Sequence, residues 1–167
     1  MITEYPQFFT ATNLEWKKLL QPDKYKDIVI ESMRFLVNEK RVNINAFVIM
    51  PNHIHLIWQM QKAHKPEDVQ RDFLKYTAQR IKADLKKNHP AVLERFKVNA
   101  RDRRYQFWER NSLGIELRTQ KAYLQKLDYI HYNPVKTGLC ILPEEYHYSS
   151  ASLYELNKTM WDFLSRV

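Results

Sequence analysis

Residues 47 to 58 read FVIMPNHIHLIW, an apolar stretch that carries two histidines, His53 and His55, with one isoleucine between them. On an extended strand successive side chains point to opposite faces. His53 and His55 therefore share a face, about 6.6 Å apart along the strand at about 3.3 Å per residue, while Ile54, Leu56 and Trp58 take the other. Two imidazoles at that separation can grip one metal ion, or they can be ordinary histidines satisfied at a strand end. A metal needs at least one further ligand, and His131, His147, several carboxylates and several amides are all open to that role.

A second stretch, KLDYIHYNPVK, supplies a different chemistry. Tyr129 and Asn133 are four residues apart and project from the same side of a helix. Tyr132 lies close to that side and Tyr123 further back. Packing accounts for a tyrosine on an amphipathic helix, and a turn-capping role accounts for an asparagine before Pro134. Taken with the histidine pair, the combination is more informative. A phenolic oxygen is a feasible nucleophile toward a phosphodiester, and a divalent ion can polarise the phosphate that it attacks.

Charge supports a polyanionic partner. The 167 residues hold 27 Lys+Arg against 19 Asp+Glu, a net charge of +8, and nucleic acid is the common partner of such an excess. With two glycines, Gly114 and Gly138, the chain has no Gly-rich phosphate cradle. With one cysteine, Cys140, it has neither an internal disulfide nor a cysteine-based zinc cluster. No apolar run approaches the ~20 residues of a membrane span and no signal peptide opens the chain, so a cytoplasmic protein is expected.

The elements that must position these residues follow from periodicity. YPQFFTATNLEW reads as a first strand. PDKYKDIVIESMRFLVNEKR reads as a helix with Tyr25, Ile28, Val29, Ser32, Phe35 and Leu36 inward. VNINAFVIM alternates with Val42, Ile44, Ala46, Val48 and Met50 on one face, and Pro51-Asn52 turns it into the histidine strand as an antiparallel hairpin. A long helix spans about 67 to 87, with Val69, Phe73, Ile81 and Leu85 toward the core. Arg71, Lys75, Lys82 and Lys86, with Gln79 among them, form a basic side suited to a nucleic-acid backbone. RRYQFWERNSLGIEL reads as a further strand or hairpin. TQKAYLQKLDYIHY is a helix capped by Thr119 and ended by Pro134 and Gly138. The order β-α-β-β-α-β-α predicts a single domain over 1–167. Its expected fold is an α+β, ferredoxin-like (RRM-like) sandwich, an antiparallel sheet with helices on one face and the histidine motif on a central strand.

VIMPNHIHLIW, followed some 70 residues later by LDYIHYNPVKTGL, resembles the REP-associated tyrosine transposases, a single-tyrosine branch of the HUH endonucleases. QFWERN, YSSAS and the order of elements are similar as well, and the likeness spans about residues 5 to 155. The resemblance implies that His53 and His55 bind a divalent metal, Mg²⁺ or Mn²⁺, with Asn133 completing the shell. It implies that Tyr129 is the nucleophile, with Tyr132 its competitor. The implied function is a metal-dependent transposase and endonuclease that cleaves and rejoins single-stranded DNA beside hairpin repeats through a 5′-phosphotyrosine intermediate. Arg71, Lys75, Lys82 and Lys86 would track the DNA backbone. Some relatives act as homodimers with the tyrosine helix supplied in trans, others as monomers.

Three rivals remain on sequence grounds: a transposase-derived protein that binds DNA hairpins without cutting, a metal-dependent hydrolase of a small phosphate substrate, and a basic ferredoxin-like RNA-binding module. Only the covalent reading gives Tyr129 an essential role.

Overall fold

A computed structural model of the chain describes residues 5–61 and 63–166. Four strands, β1 (Gln7–Thr12), β2 (Val42–Ile49), β3 (His53–Met60) and β4 (Leu113–Glu116), form one sheet in the order β2-β3-β1-β4. Every neighbouring pair is antiparallel. The helices are α1 (Asp23–Asn38), α2 (Pro66–Asn88), the short α3 (Pro90–Glu94), α4 (Gln120–Lys136) and the short α5 (Ala151–Leu156). This is the expected βαββαβ sandwich, and the histidine strand β3 lies inside the sheet between β2 and β1. The Pro51-Asn52 turn closes the β2–β3 hairpin, with the Met50 amide donating to the His53 carbonyl at 2.8 Å.

The pleat divides β1 and β3 as their alternation requires. Phe9, Ile54, Leu56 and Trp58 face a large core with Val29, Met33, Val69 and Phe73 of α1 and α2. Phe8 and Ile57 face a smaller cluster with Leu127 and Ile130 of α4. The expectation of helices on one face therefore holds for α1 and α2 but not for α4, which lies across the other face. Its apolar stripe supplies the reason, since burying Leu127 and Ile130 is worth about 2 kcal/mol each.

β2 corrects a second expectation. Val42 and Ile44 face the larger core, but Ala46, Val48 and Met50 face the smaller one. A register shift between Ile44 and Ala46 inserts Asn45 as a bulge, and one extra residue moves every later side chain to the opposite face. The freed groups of Asn45 are taken up by the C-terminal segment: Tyr154 Oη donates to its carbonyl at 2.7 Å, and its Nδ2 donates to the Ser165 carbonyl at 2.7 Å. The same segment brings Trp161 and Phe163 into the core.

Three further expectations are revised. Phe35 is exposed and stacks on Tyr76, while Met33 occupies the inner face of α1. Pro134 does not end α4, which continues to Lys136. Proline removes one backbone donor, and here its residue is buried within the helix. In RRYQFWERNSLGIEL only Leu113–Glu116 forms a ladder strand, and Tyr105 and Trp108 make isolated bridges.

Candidate active site

β3, β1 and α4 bring the chemistry-bearing residues to one end of the sheet. His53 and His55 lie on the α4 face of β3, with ring centroids 4.8 Å apart. Thr10 and Thr12 of β1 stand directly opposite His55 and His53 in the ladder. Thr10 Oγ1 shares a hydrogen bond of 2.8 Å with His55 Nδ1, and Phe8 stacks on the same imidazole at 5.3 Å. His53 Nδ1–H donates to Asn52 Oδ1 at 2.7 Å. With Nδ1 of each ring engaged, Nε2 is the nitrogen through which each imidazole would bind a metal when Nδ1 carries the proton.

Burial holds both imidazoles neutral. His55 is pushed down to about 3 by desolvation, then by His53 and Lys126. Burial also lowers His53, and a hydrogen-bonding Asn133 side chain works against that shift. Asn133 Oδ1 is buried without a partner of good geometry. An amide oxygen beside His53, with the neutral His55 next to it, is a donor set suited to a divalent cation. Among the described residues no group of three His, Cys, Asp or Glu side chains is gathered for a metal, so this set depends on the amide. The other histidines weighed as ligands are engaged elsewhere. His131 Nε2 shares a hydrogen bond with Ser150 Oγ at 2.8 Å, and His147 packs on Tyr148 and Trp161.

α4 sets the tyrosine. Thr119 Oγ1 caps the helix by accepting from the Ala122 amide at 3.0 Å. Ser150, which also accepts from the Phe47 amide at 2.9 Å, ties His131 to β2 and fixes the helix against the sheet. Tyr129 then meets His55 edge to face, ring centroids 5.2 Å apart, and Phe8 at 6.0 Å. Its ring is 44% exposed, so a substrate can reach it. Tyr132, similarly exposed, lines a cleft together with Tyr129, Lys126 and Lys136.

Several residues of the site were not singled out from the sequence. Lys126, one turn before Tyr129, places its ammonium 4.7 Å over the Phe8 ring and 5.4 Å over the Tyr129 ring. Its helical spacing from Tyr129 was a readable signal. Thr10 and Phe8 carried no such signal, because strand pairing brings them to His55, and Asn52, next to His53 in the chain, read only as a turn residue. Trp16, in the 3-10 turn Leu14–Trp16, meets His53 edge to face at 5.8 Å.

The basic side of α2 faces a second feature. Arg71, Lys75, Gln79 and Lys82 line a groove of about 780 Å³ opposite Arg103, Arg104, Tyr105 and Arg110. Lys86 lies outside that lining. The groove is on the α2 side of the sheet and reaches the histidine end through its own loop, where the Glu109 amide donates to the Thr12 carbonyl at 2.8 Å.

This combination of fold and sequence is that of a transposase domain. The chain belongs to the family of IS200-like transposases, whose pattern matches residues 11–125 and so takes in the histidine strand. It is 30% identical over 106 residues to a Haemophilus influenzae protein named as a REP-associated tyrosine transposase, covering 63% of this chain and 56% of that one. It is 32% identical over 102 residues to a further, uncharacterised H. influenzae protein, covering 57% and 56%. The matched segments thus span little more than half the length of these relatives. Its fold is similar to that of a REP-associated tyrosine transposase bound to a REP hairpin, with a TM-score of 0.67, 20% identity and coverage of 99% and 88%. A Deinococcus radiodurans protein described as a transposase is more distant, at a TM-score of 0.51, 14% identity and coverage of 77% and 91%. No helix among the described residues is long and apolar enough to cross a membrane.

Proposed function

We propose that this protein is a metal-dependent DNA endonuclease and strand transferase that acts on single-stranded DNA beside a hairpin, with Tyr129 as nucleophile. The observation that carries the reading is the placement of Tyr129 against His55, 5.2 Å between ring centroids, with Nδ1 of His55 and of His53 engaged by Thr10 and Asn52. A Mg²⁺ or Mn²⁺ ion held by His53, His55 and Asn133 would supply charge stabilisation to a non-bridging phosphate oxygen.

The chain's own groups do the rest. Tyr129 gives up its phenolic proton as its oxygen bonds to phosphorus, the bond from phosphorus to the 3′ oxygen breaks, and that oxygen takes up a proton and leaves as a 3′-hydroxyl. The product is a 5′-phosphotyrosine that keeps the phosphodiester energy, so an incoming 3′-hydroxyl can reverse the step and join a new strand. Lys126, over the Tyr129 ring, presents an ammonium to the anionic strand at that position. The groove of Arg71, Lys75 and Lys82 holds backbone phosphates of the hairpin away from the chemistry. The described likeness to a hairpin-bound transposase supports that partner.

The test is to incubate the protein with single-stranded oligonucleotides from the palindromes flanking its gene, with and without Mn²⁺. A metal-dependent protein–DNA band that survives denaturation is expected. Tight hairpin binding with no covalent band under any metal condition would replace this reading by the non-cutting one.

A further inference from the structure

The turn between β1 and α1 holds the most costly backbone near the site. Glu15 and Trp16 are consecutive and neither is glycine, yet their φ values are 54° and 59°, in the left-handed region. Neighbouring groups hold this conformation from several sides. The Trp16 amide donates to the Asn13 carbonyl at 2.9 Å, and the Glu15 amide donates to Glu109 Oε1 at 2.6 Å. Asn52 Nδ2 donates to the Trp16 carbonyl at 3.2 Å, while Asn52 Oδ1 accepts from His53. One asparagine thus couples the strained turn to a candidate metal ligand.

The side chain displayed by this turn is not buried. Trp16 is 62% exposed, whereas Trp58, Trp108 and Trp161 are exposed by 0%, 6% and 6%. Packing gives no return for strain that holds an indole in solvent, and such backbone persists where function requires it. One edge of the indole touches the His53 ring at 5.8 Å, so it stands beside the phosphate position defined by His53, His55 and Tyr129. Glu109 of the groove lining holds the same turn by accepting from the Glu15 amide, so Trp16 stands next to the end of the groove as well as beside His53.

We infer that Trp16 is a base-stacking platform for the nucleotide next to the scissile phosphate. The inference rests on the proposed action on single-stranded DNA and adds the residue that seats the strand there. Every base offers a π-face, so the platform fixes the position of the strand without reading its sequence.

The other three tryptophans are buried but Trp108 lines the groove, so the part of the emission change on DNA binding that Trp16→Ala removes reports on Trp16. A Tyr129→Phe protein, which leaves no nucleophile at that position, is titrated with a stem-loop oligonucleotide bearing a single-stranded arm, taken from the palindromes flanking its gene. Binding is followed in parallel by anisotropy of a labelled copy. Saturation is expected to quench the emission. Trp16→Ala is expected to remove that quench and weaken binding about tenfold, and Trp16→Tyr to restore most of the affinity. Unchanged emission at full occupancy, with Trp16→Ala binding as tightly as its parent, would overturn the platform and leave the DNA reading intact. No binding by the Tyr129→Phe protein at low salt would overturn both.

Discussion

The rings of Tyr129 and His55 meet edge to face across the gap between α4 and β3, centroids 5.2 Å apart and planes inclined by 70°. The two residues are 74 positions apart in the chain and are joined by the packing of Leu127 and Ile130 on Phe8 and Ile57. A helix that buries its apolar stripe on the sheet carries its tyrosine to the histidines as a consequence.

The histidine pair is predicted to be tuned by its hydrogen-bond partners. Thr10→Val removes the oxygen that engages His55 Nδ1 and conserves volume on β1. Mn²⁺ affinity measured by calorimetry should fall roughly 10- to 100-fold. His53→Ala should abolish measurable binding, and an unchanged affinity in either variant would contradict the assigned site.

Lys126 should matter to the reaction more than to the fold. Lys126→Met is expected to slow adduct formation by at least roughly tenfold, with a change in stability below about 1 kcal/mol. Lys126→Arg should recover most of the rate. Equal rates for all three proteins would remove Lys126 from the site.

The groove makes a prediction about salt. Lys75→Ala and Lys82→Ala should each weaken hairpin binding and reduce the slope of log affinity against log salt by about 1. Lys86→Ala, outside the groove lining, should leave the slope nearly unchanged. Three equal slopes would mean that the strand does not follow this groove.

Acid should destabilise the fold through His131. Burial lowers it to about 4 from an ordinary value of 6.5, so the unfolded chain binds a proton that the folded chain does not. Its contribution is complete above about pH 6.5 and is lost as pH falls from there toward 4, about 3 kcal/mol in all. His55, also held low, acts in the same direction. Denaturant unfolding at pH 7 and pH 4.5 should show the loss, and His131→Gln should reduce it. An unchanged pH dependence in that variant would contradict the assignment.

Much of this was legible in local patterns. Alternation placed His53 and His55 on one face of β3, helical spacing set Tyr129 and Asn133 on one side of α4, and Thr119 marked the start of that helix. What was not legible depends on pairing between distant segments. Thr10 and Phe8 reach His55 only because β1 lies beside β3, and no spacing within either strand specifies that register. The bulge at Asn45 had the same character, since its groups are satisfied by Tyr154 and Ser165, more than 100 residues away. Pro134 misled because a local rule about helix breaking was outweighed by burial of the residue within the helix. Glu15 and Trp16 gave no sign at all, because left-handed backbone without glycine is enforced by contacts and not by residue type.

The most direct test of the central claim is to locate the nucleotide on the protein. After reaction with Mn²⁺ and a single-stranded oligonucleotide that carries a hairpin, nuclease and trypsin treatment should leave residues 127–136, LDYIHYNPVK, as one peptide that contains both Tyr129 and Tyr132. Fragmentation in the mass spectrometer separates them. The account predicts a nucleotide phosphate on Tyr129 and none in the Tyr129→Phe protein. A phosphate on Tyr132, or a persistent adduct in Tyr129→Phe, would contradict it.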